Sequence, residues 1–269
     1  MLVCTIGDLT LDVVVRLGGP IAAGGDTDAQ IRLGPGGQAA NVAAWAAALG
    51  ASARFVGKRG ADEAARLATT GLAERGVQVL GPAEGRNGVV CSLVSPDGER
   101  SMAADRGAAT SLRPEELDPG WLAGCDHLAV SGYALMREPA RTTALHAVEL
   151  ARTAGAPVSV DLSSWSAIRD AGAREFRAVV EALAPDVVFA NEDEERVLGG
   201  RLPGPAWVLK RGGHGCSFDG DERAAPPVDR VVDTTGAGDA LAAGWIVGGR
   251  DLALEAAARC VATVGSMPP

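Results

Sequence analysis

From residue 127 onward the chain keeps one rhythm, in which a short, mostly apolar run is followed by a stretch of helical periodicity and then by another such run. The candidate strands are 127–130, 158–161, 187–190 and 207–210, and the helices between them are 139–153, 171–183 and 191–198. Short buried strands alternating with helices have few ways to pack, and the commonest is a parallel sheet covered by helices on both faces. The opening of the chain fits the same scheme. Residues 2–6 read as a buried strand ending at Gly7, residues 54–56 and 77–80 as further strands, and residues 62–75 as a helix. At 269 residues, with no linker, internal repeat or low-complexity segment, the chain suits a single α/β domain spanning 1–269.

Two segments break the rhythm. Residues 13–15 continue extended past the first strand and, after a glycine-rich turn, 29–33 read as a return strand. Residues 88–94 and 100–104 flank Ser95-Pro96-Asp97-Gly98-Glu99, a hairpin signal. These pieces can pair into a four-stranded flap, a lid whose strands occupy about 12–33 and 87–105 and are inserted in the main domain.

In an open α/β sheet, ligands bind beyond the carboxyl ends of the strands. Chemistry-bearing residues gather at those positions here. Asp8 and Asp12 follow the first strand, and Asp12 could accept bonds from a vicinal diol. Gly34-Pro35-Gly36-Gly37-Gln38-Ala39-Ala40-Asn41 opens an apolar helix, its glycines allowing a sugar close to the backbone and Asn41 standing one turn in. That spacing partly mimics a dinucleotide fingerprint, but such a fingerprint belongs after the first strand with an acid some 20 residues later, whereas Lys58 and Arg59 come next here. Asn191-Glu192-Asp193-Glu194-Glu195 starts a helix directly after a strand. The helix dipole alone favours acids there, and Asn191 and Glu194 could also hold water around Mg²⁺. Lys210-Arg211-Gly212-Gly213-His214-Gly215 joins two strand-like pieces, with glycines that would admit a nucleotide. No phosphate-binding G-x-x-x-x-G-K-[ST] loop occurs.

The most informative stretch is Asp233-Thr234-Thr235-Gly236-Ala237-Gly238-Asp239, between Val231-Val232, which read as a strand end, and an Ala/Leu-rich helix. A glycine turn at a helix start leaves backbone N–H groups aimed outward, and the helix dipole adds to them, which makes a seat for an anion. A first-turn aspartate is favoured by that dipole in any case. Beside an anion seat, however, Asp239 would repel a phosphate, unless its task is to take a proton from a hydroxyl that attacks the phosphorus.

Composition narrows the class further. The formal charge of −9 disfavours nucleic acid and anionic membrane surfaces as partners. The five cysteines are scattered without metal-ligand spacing, and there is neither a secretory leader nor an apolar run long enough to span a membrane, so a cytoplasmic location is expected.

Taken in order, Gly7…Asp12, Gly36-Gly37…Asn41, Gly57…Gly60…Asp62, Asn191…Glu194, Gly212…Gly215 and the 233–239 stretch resemble the ribokinase-like, PfkB-type carbohydrate kinases over nearly the whole chain. The resemblance implies a three-layer α/β/α sandwich with a mainly parallel central sheet and a small β-strand lid, in which ATP phosphorylates a hydroxymethyl group of a sugar-like acceptor. It makes Asp239 the catalytic base and the Gly236, Ala237 and Gly238 amides the anion hole. Asp12, Gly36, Gly37 and Asn41 would bind the acceptor, and Lys210, Gly212, Gly215 and Thr235 the nucleotide. Asn191 and Glu194 would organise Mg²⁺, while Asp233 with Thr235 would form the loop that holds a monovalent cation such as K⁺ in many members. The chain departs from the family at Ala64-Ala65, where a glycine is common, and at Leu241, where many members have Phe. It ends at Pro269, where members usually add a segment that helps wall the adenine pocket and cation site.

The lid strands carry Val13, Val15, Ile31, Val89, Cys91, Leu93 and Met102 and no aromatic residue, which favours a plain sugar over a nucleoside. Arg32, Arg100 or Arg106 could meet a carboxylate or phosphate on the acceptor. An exposed apolar lid face would favour a homodimer that covers it. A nucleoside kinase of the same family and a non-catalytic sugar or nucleotide sensor are the alternatives.

Overall fold

The computed structural model describes residues 1–96 and 100–269. Its larger sheet takes β1 (Leu2–Ile6), β4 (Ser52–Val56), β5 (Val77–Leu80), β8 (His127–Ser131), β9 (Val158–Asp161), β10 (Val187–Asn191), β11 (Ala206–Lys210), β12 (Cys216–Phe218) and β13 (Asp221–Arg223). Its smaller sheet takes β2 (Thr10–Leu17), β3 (Ala29–Gly36), β6 (Gly88–Val94) and β7 (Arg100–Asp105). The helices are α1 (Gln38–Ala48), α2 (Glu63–Ala73), α3 (Gly132–Leu135), α4 (Ala140–Thr153), α5 (Trp165–Ala171), α6 (Ala173–Leu183), α7 (Glu192–Leu198) and α8 (Ala237–Val261). Among the described residues no helix is long and apolar enough to cross a membrane.

The large sheet runs β13-β12-β11-β10-β9-β8-β1-β4-β5, parallel from β11 through to β5, with β12 and β13 added antiparallel. Strand residues alternate between the two faces, and the buried side chains divide accordingly. In β10, Val187 and Phe189 join the core shared with α1 and α8, while Val188 and Ala190 join the opposite core with Ala144 and Val148 of α4 and Phe176 of α6. A sheet with a core on each face is the middle of three layers, as the sequence led us to expect.

The strand order reverses at β1. From there the chain goes one way to β4 and β5, and after β8 it goes the other way to β11. Where two successive connections leave in opposite directions, a crevice opens at the strands' carboxyl ends. Asp8 follows β1 and Ser131 ends β8, so both stand at this point.

The small sheet is ordered β3-β2-β6-β7. Asp12 stands level with Gly34 on one side and Val90 on the other, and Val90 with Ala104. Thr10, Asp12, Val90, Met102 and Ala104 therefore share one face, and all of them border a cleft above the large sheet. The outer face carries Val13, Val15, Cys91 and Leu93 along with Ile31 and Leu33, which are 63% and 59% exposed. Of the apolar lid residues named from the sequence, only Met102 lines the cleft, because period-2 alternation sends the others to the far side.

Other differences are local. Val231 and Val232 are extended but join no strand, because Val232 and Asp233 donate instead to the Val261 carbonyl at the end of α8. The helix expected over 171–183 is α6, which starts two residues later because Gly172 caps it, and before it comes α5, for which no helix was expected, capped by Ser164, whose hydroxyl accepts from the Ala167 amide. The 106–122 stretch, for which no element was expected, makes three single turns, at Gly107–Thr110, Pro114–Glu116 and Pro119–Leu122. β6 and β7 pair antiparallel from Val94 and Arg100; Asp97, Gly98 and Glu99 of the hairpin signal lie outside the described residues.

Candidate active site

A cleft of about 1690 Å³ lies between the small sheet and the carboxyl edge of the large one. Of the site residues expected from the sequence, all but Gly36 and Asp233 line it. Gly36 sits just behind, where a side chain would collide with the Asp12 carboxyl carbon at 2.0 Å. Asp233 braces the loop before α8. Its Oδ1 accepts from the Thr235 amide at 2.9 Å and the Thr235 hydroxyl at 2.6 Å, and its Oδ2 accepts from the Gly265 amide at 3.0 Å.

Gly236 caps α8 in the left-handed region, with φ 78°, and Ala237 and Gly238 begin the helix with Asp239 in its first turn. The first N–H groups of a helix have no partner within it; of these, the Ala237 amide donates to the Thr234 carbonyl at 3.4 Å in the turn before the helix. The Asp239 carboxylate is held from α1, since Asn41 Nδ2 donates to its Oδ2 at 2.7 Å. Asn41 Oδ1 in turn accepts from the Ser266 hydroxyl at 3.0 Å, and the Ser266 carbonyl accepts from Trp45 Nε1 at 2.9 Å. With both ends of its amide engaged, Asn41 orients Asp239, a role the sequence did not suggest.

Burial, followed by the nearby Asp161 charge, pushes the Asp239 carboxyl up to about 8, against the pull of Asn41 and Lys210. An aspartate holding its proton to about pH 8 when folded, but releasing it near 3.8 when unfolded, costs the fold stability as pH rises through that window. Asp239→Asn removes the cost. The variant should melt above the parent at pH 8, by about 2–4 °C per kcal/mol recovered, with the gap closing toward pH 4. Thermal melts at the two pH values read this, and a pH-independent gap would refute the burial argument.

Lys210, at the end of β11, places its ammonium 2.8 and 3.0 Å from the two oxygens of Asp161, at the end of β9. It also stands against Gly238, where an added side-chain carbon would lie 3.2 Å from Nζ. Burial works against the Lys210 charge, but Asp161 and Glu194 outweigh it and hold the ammonium above its usual range. Glu194 is 2% exposed, and its carboxyl is raised, first by burial. Its two oxygens accept from the Asn191 amide and the Asn191 side chain, both at 2.8 Å, and Asn191 Oδ1 accepts from the Glu194 amide. This reciprocal cap starts α7 and fixes both side chains at the rim of the cleft.

Beside the small sheet, burial pushes the Asp12 carboxyl up to about 6, and the Thr10 hydroxyl donates to it at 2.9 Å. Asp8 pairs with Arg106 at 2.8 Å, and the Arg106 guanidinium lies 3.7 Å over the Tyr133 ring. Gln38 Oε1 accepts from the Ser131 and Ser163 hydroxyls, each at 2.6 Å, tying α1 to the ends of β8 and β9. Arg32 is exposed on β3, and the Arg100 side chain lies outside the described residues. Beside the start of α8 and the Gly212–Gly215 turn the cleft walls are apolar, from Pro226, Val228, Leu254 and Val261. Arg16, at the far end of β2, donates to the Val232 carbonyl at 3.1 Å, so the small sheet reaches across to the loop before α8.

Asp161, Ser266, Tyr133 and Gln38 were not singled out from the sequence. For Asp161 a signal existed, because it is an acid closing a buried strand at the ligand edge of the sheet. For Ser266, 27 residues beyond Asp239, there was none.

Comparisons with known proteins bear on the family and the fold. The family model described as pfkB family carbohydrate kinase matches residues 1–267. The chain is 32% identical to the ATP-dependent ribose-1-phosphate kinase of Halopiger xanaduensis over 96% of its own length and 90% of that protein's. It is 32% identical to Fructokinase-1 of Oryza sativa subsp. japonica, over 89% of this chain and 80% of that one. The crystal structure of adenosine kinase from Sinorhizobium meliloti shares the fold, with a TM-score of 0.84 at 24% identity, covering 99% of this chain and 95% of the other. With its sequence matched from end to end and its fold shared, the chain belongs to the pfkB family of carbohydrate kinases.

Proposed function

We propose that this protein transfers the γ-phosphoryl group of ATP to a hydroxymethyl group of a sugar or sugar-like small molecule. The observation that carries the reading is Asp239. It is a carboxylate raised to about 8 in the first turn of α8, bonded to Asn41 from the acceptor half and adjacent to the Gly236–Gly238 amides. Asp239 takes the hydroxyl proton as the acceptor oxygen bonds to phosphorus and the bond to the departing ADP breaks. The amides and the Lys210 ammonium meet the charge that develops on the transferred group. Asp12 and the Gly37 backbone hold the acceptor. The small sheet acts as a lid that excludes water, with Arg16 joining it to the nucleotide side.

Among the described residues no cluster of three or more His, Cys, Asp or Glu could hold a metal by itself. That suits Mg²⁺, which keeps several waters and is carried largely by phosphates. The capped Asn191 and Glu194 pair, buried at the rim, fits such an outer contact. When bound, Mg²⁺ supplies neutralising charge at the phosphates. The monovalent-cation loop of the resemblance falls on Asp233 and Thr235, and a faster rate in K⁺ than in choline chloride is its check. The cleft face of the small sheet offers no aromatic platform, and one face of Tyr133 is covered by Arg106, which favours a sugar over a nucleoside.

The direct test is ADP release from Mg·ATP against sugars, sugar acids, sugar phosphates and nucleosides, with Asp239→Asn as control. Release with one acceptor, lost in the variant, is expected; equal release in the variant would refute the base assignment. A second prediction concerns Lys210→Met. It strands Asp161 and Glu194 without their cation and should cost about 3 kcal/mol of stability, the low end for breaking a buried pair. It also removes a charge that lowers the Asp239 pKa, so the acid limb of kcat/KM should move to higher pH. Denaturant melts and a pH–rate profile measure the two effects.

A further inference from the structure

We infer that the acceptor carries an anionic group, a carboxylate or a phosphate, and that Arg137 binds it. The inference rests on the kinase reading and adds to it the class of acceptor.

The arginines lining the cleft are Arg86, Arg106 and Arg137. Two of them already have acids, with Arg86 2.8 Å from Asp105 and Arg106 2.8 Å from Asp8. Arg137 has no ion pair among the described residues, and its acidic neighbours are engaged elsewhere. Glu138 faces Arg141 and accepts from the Thr142 hydroxyl at 2.8 Å, and Asp170, which also lines the cleft, pairs with Arg169 at 2.8 Å. The Arg137 guanidinium thus has its whole fork of N–H donors available, in a cleft whose other titratable groups include Asp8, Asp12, Glu194 and Asp239.

Its place is at the acceptor half. Arg137 is an exposed residue just past the end of α3, which carries Tyr133, and Tyr133 lies beneath the Arg106 guanidinium at 3.7 Å. Both come from the segment after β8, next to β1 and its Asp8, and three strands along the sheet from β11, which leads into Gly212. Asp8 binds Arg106 through Nη1, which leaves other donors of that side chain for a ligand while holding its plane. An anionic group placed near Asp12 or Asp239 would be repelled. Beside Arg137 it would meet a cation that no protein carboxylate neutralises, in the forked geometry that carboxylates and phosphates accept. The acceptor's hydroxyls then lie toward the acids and its anionic end toward Arg137.

The experiment compares acceptors that differ only in the charged group: a free sugar, its sugar acid and its phosphate ester, with parent, Arg137→Ala and Arg137→Lys. The expected result is higher kcat/KM for a charged member than for the free sugar. Arg137→Ala should raise KM for the charged acceptor about 10- to 100-fold, the worth of a charge-assisted bond. It should leave KM for the free sugar and for Mg·ATP within about twofold, and Arg137→Lys should recover part of the loss. The carboxylate and phosphate arms tell the two sources apart. Equal loss on free and charged acceptors, or the free sugar as the better substrate, overturns the proposal. Calorimetric titration of the same acceptors separates the two layers of the reading. A charged sugar that binds the parent and loses affinity in Arg137→Ala upholds the anion subsite even if no transfer occurs, and the kinase reading would then be the part that fails.

Discussion

Replacing Asp239 with Asn is expected to lower kcat by about 10²–10⁴-fold, the range that a positioned general base contributes. Asparagine keeps the shape and can still accept from Asn41, so the loss isolates proton transfer from packing. The parent should also show the base in its pH dependence. Because the carboxyl must be ionised to act and sits at about 8, kcat/KM should fall as pH drops below that value, while the residual rate of the variant should be flat across the same range. A variant that kept most of its kcat, or a parent profile flat down to pH 6, would remove Asp239 from the mechanism. A higher melting temperature of the same variant at pH 8, beside a lost rate, would show a trade in which the proposed base is a group the fold would be more stable without.

Gly236→Ala should be nearly as damaging, for a different reason. An alanine at φ 78° is strained, and its Cβ would stand 2.6 Å from the Ser266 backbone, which cannot step aside without breaking the contacts of Ser266 with Asn41 and Trp45. We expect a stability loss of about 1–3 kcal/mol and a fall in kcat of about 10²–10³-fold as the amides of the helix start turn away from the transferred group. Gly249→Ala is the matched control. Gly249 kinks α8 at φ 81°, but a Cβ there meets nothing within 4 Å. It should show the strain in a denaturant melt and leave kcat unchanged. If both variants lost activity alike, strain in α8, and not the anion seat, would be the cause.

How far the chain could be read before its structure depended on how local each signal was. The strand–helix alternation after residue 127 and the glycine turn before α8 are written into short windows, because period 2, period 3.6 and helix-start chemistry act over a few residues. The errors came where long-range partners overrode local preference. Val231 and Val232 have the composition of a strand, but the Val232 amide finds the Val261 carbonyl instead of a sheet edge. Which lid residues meet the cleft was likewise undecided locally: the register of β2 against β6 puts Val13, Val15 and Leu93 on the outer face and leaves Thr10, Asp12 and Val90 to line the cleft.

The sequence by itself determined the layered α/β architecture, the family, and the glycine turn that starts α8, since each follows from patterns that neighbouring residues complete among themselves. Only the tertiary structure decided what surrounds that turn. Asn41 meets Asp239 across 198 positions and Ser266 meets Asn41 across 225. Lys210 meets Asp161 because β9 and β11 flank β10 with their carboxyl ends at one edge. The burial and charge that lift Asp239 to about 8 are sums over these distant groups. No window of sequence contains them, because they exist only once the sheet order has brought the strand ends together.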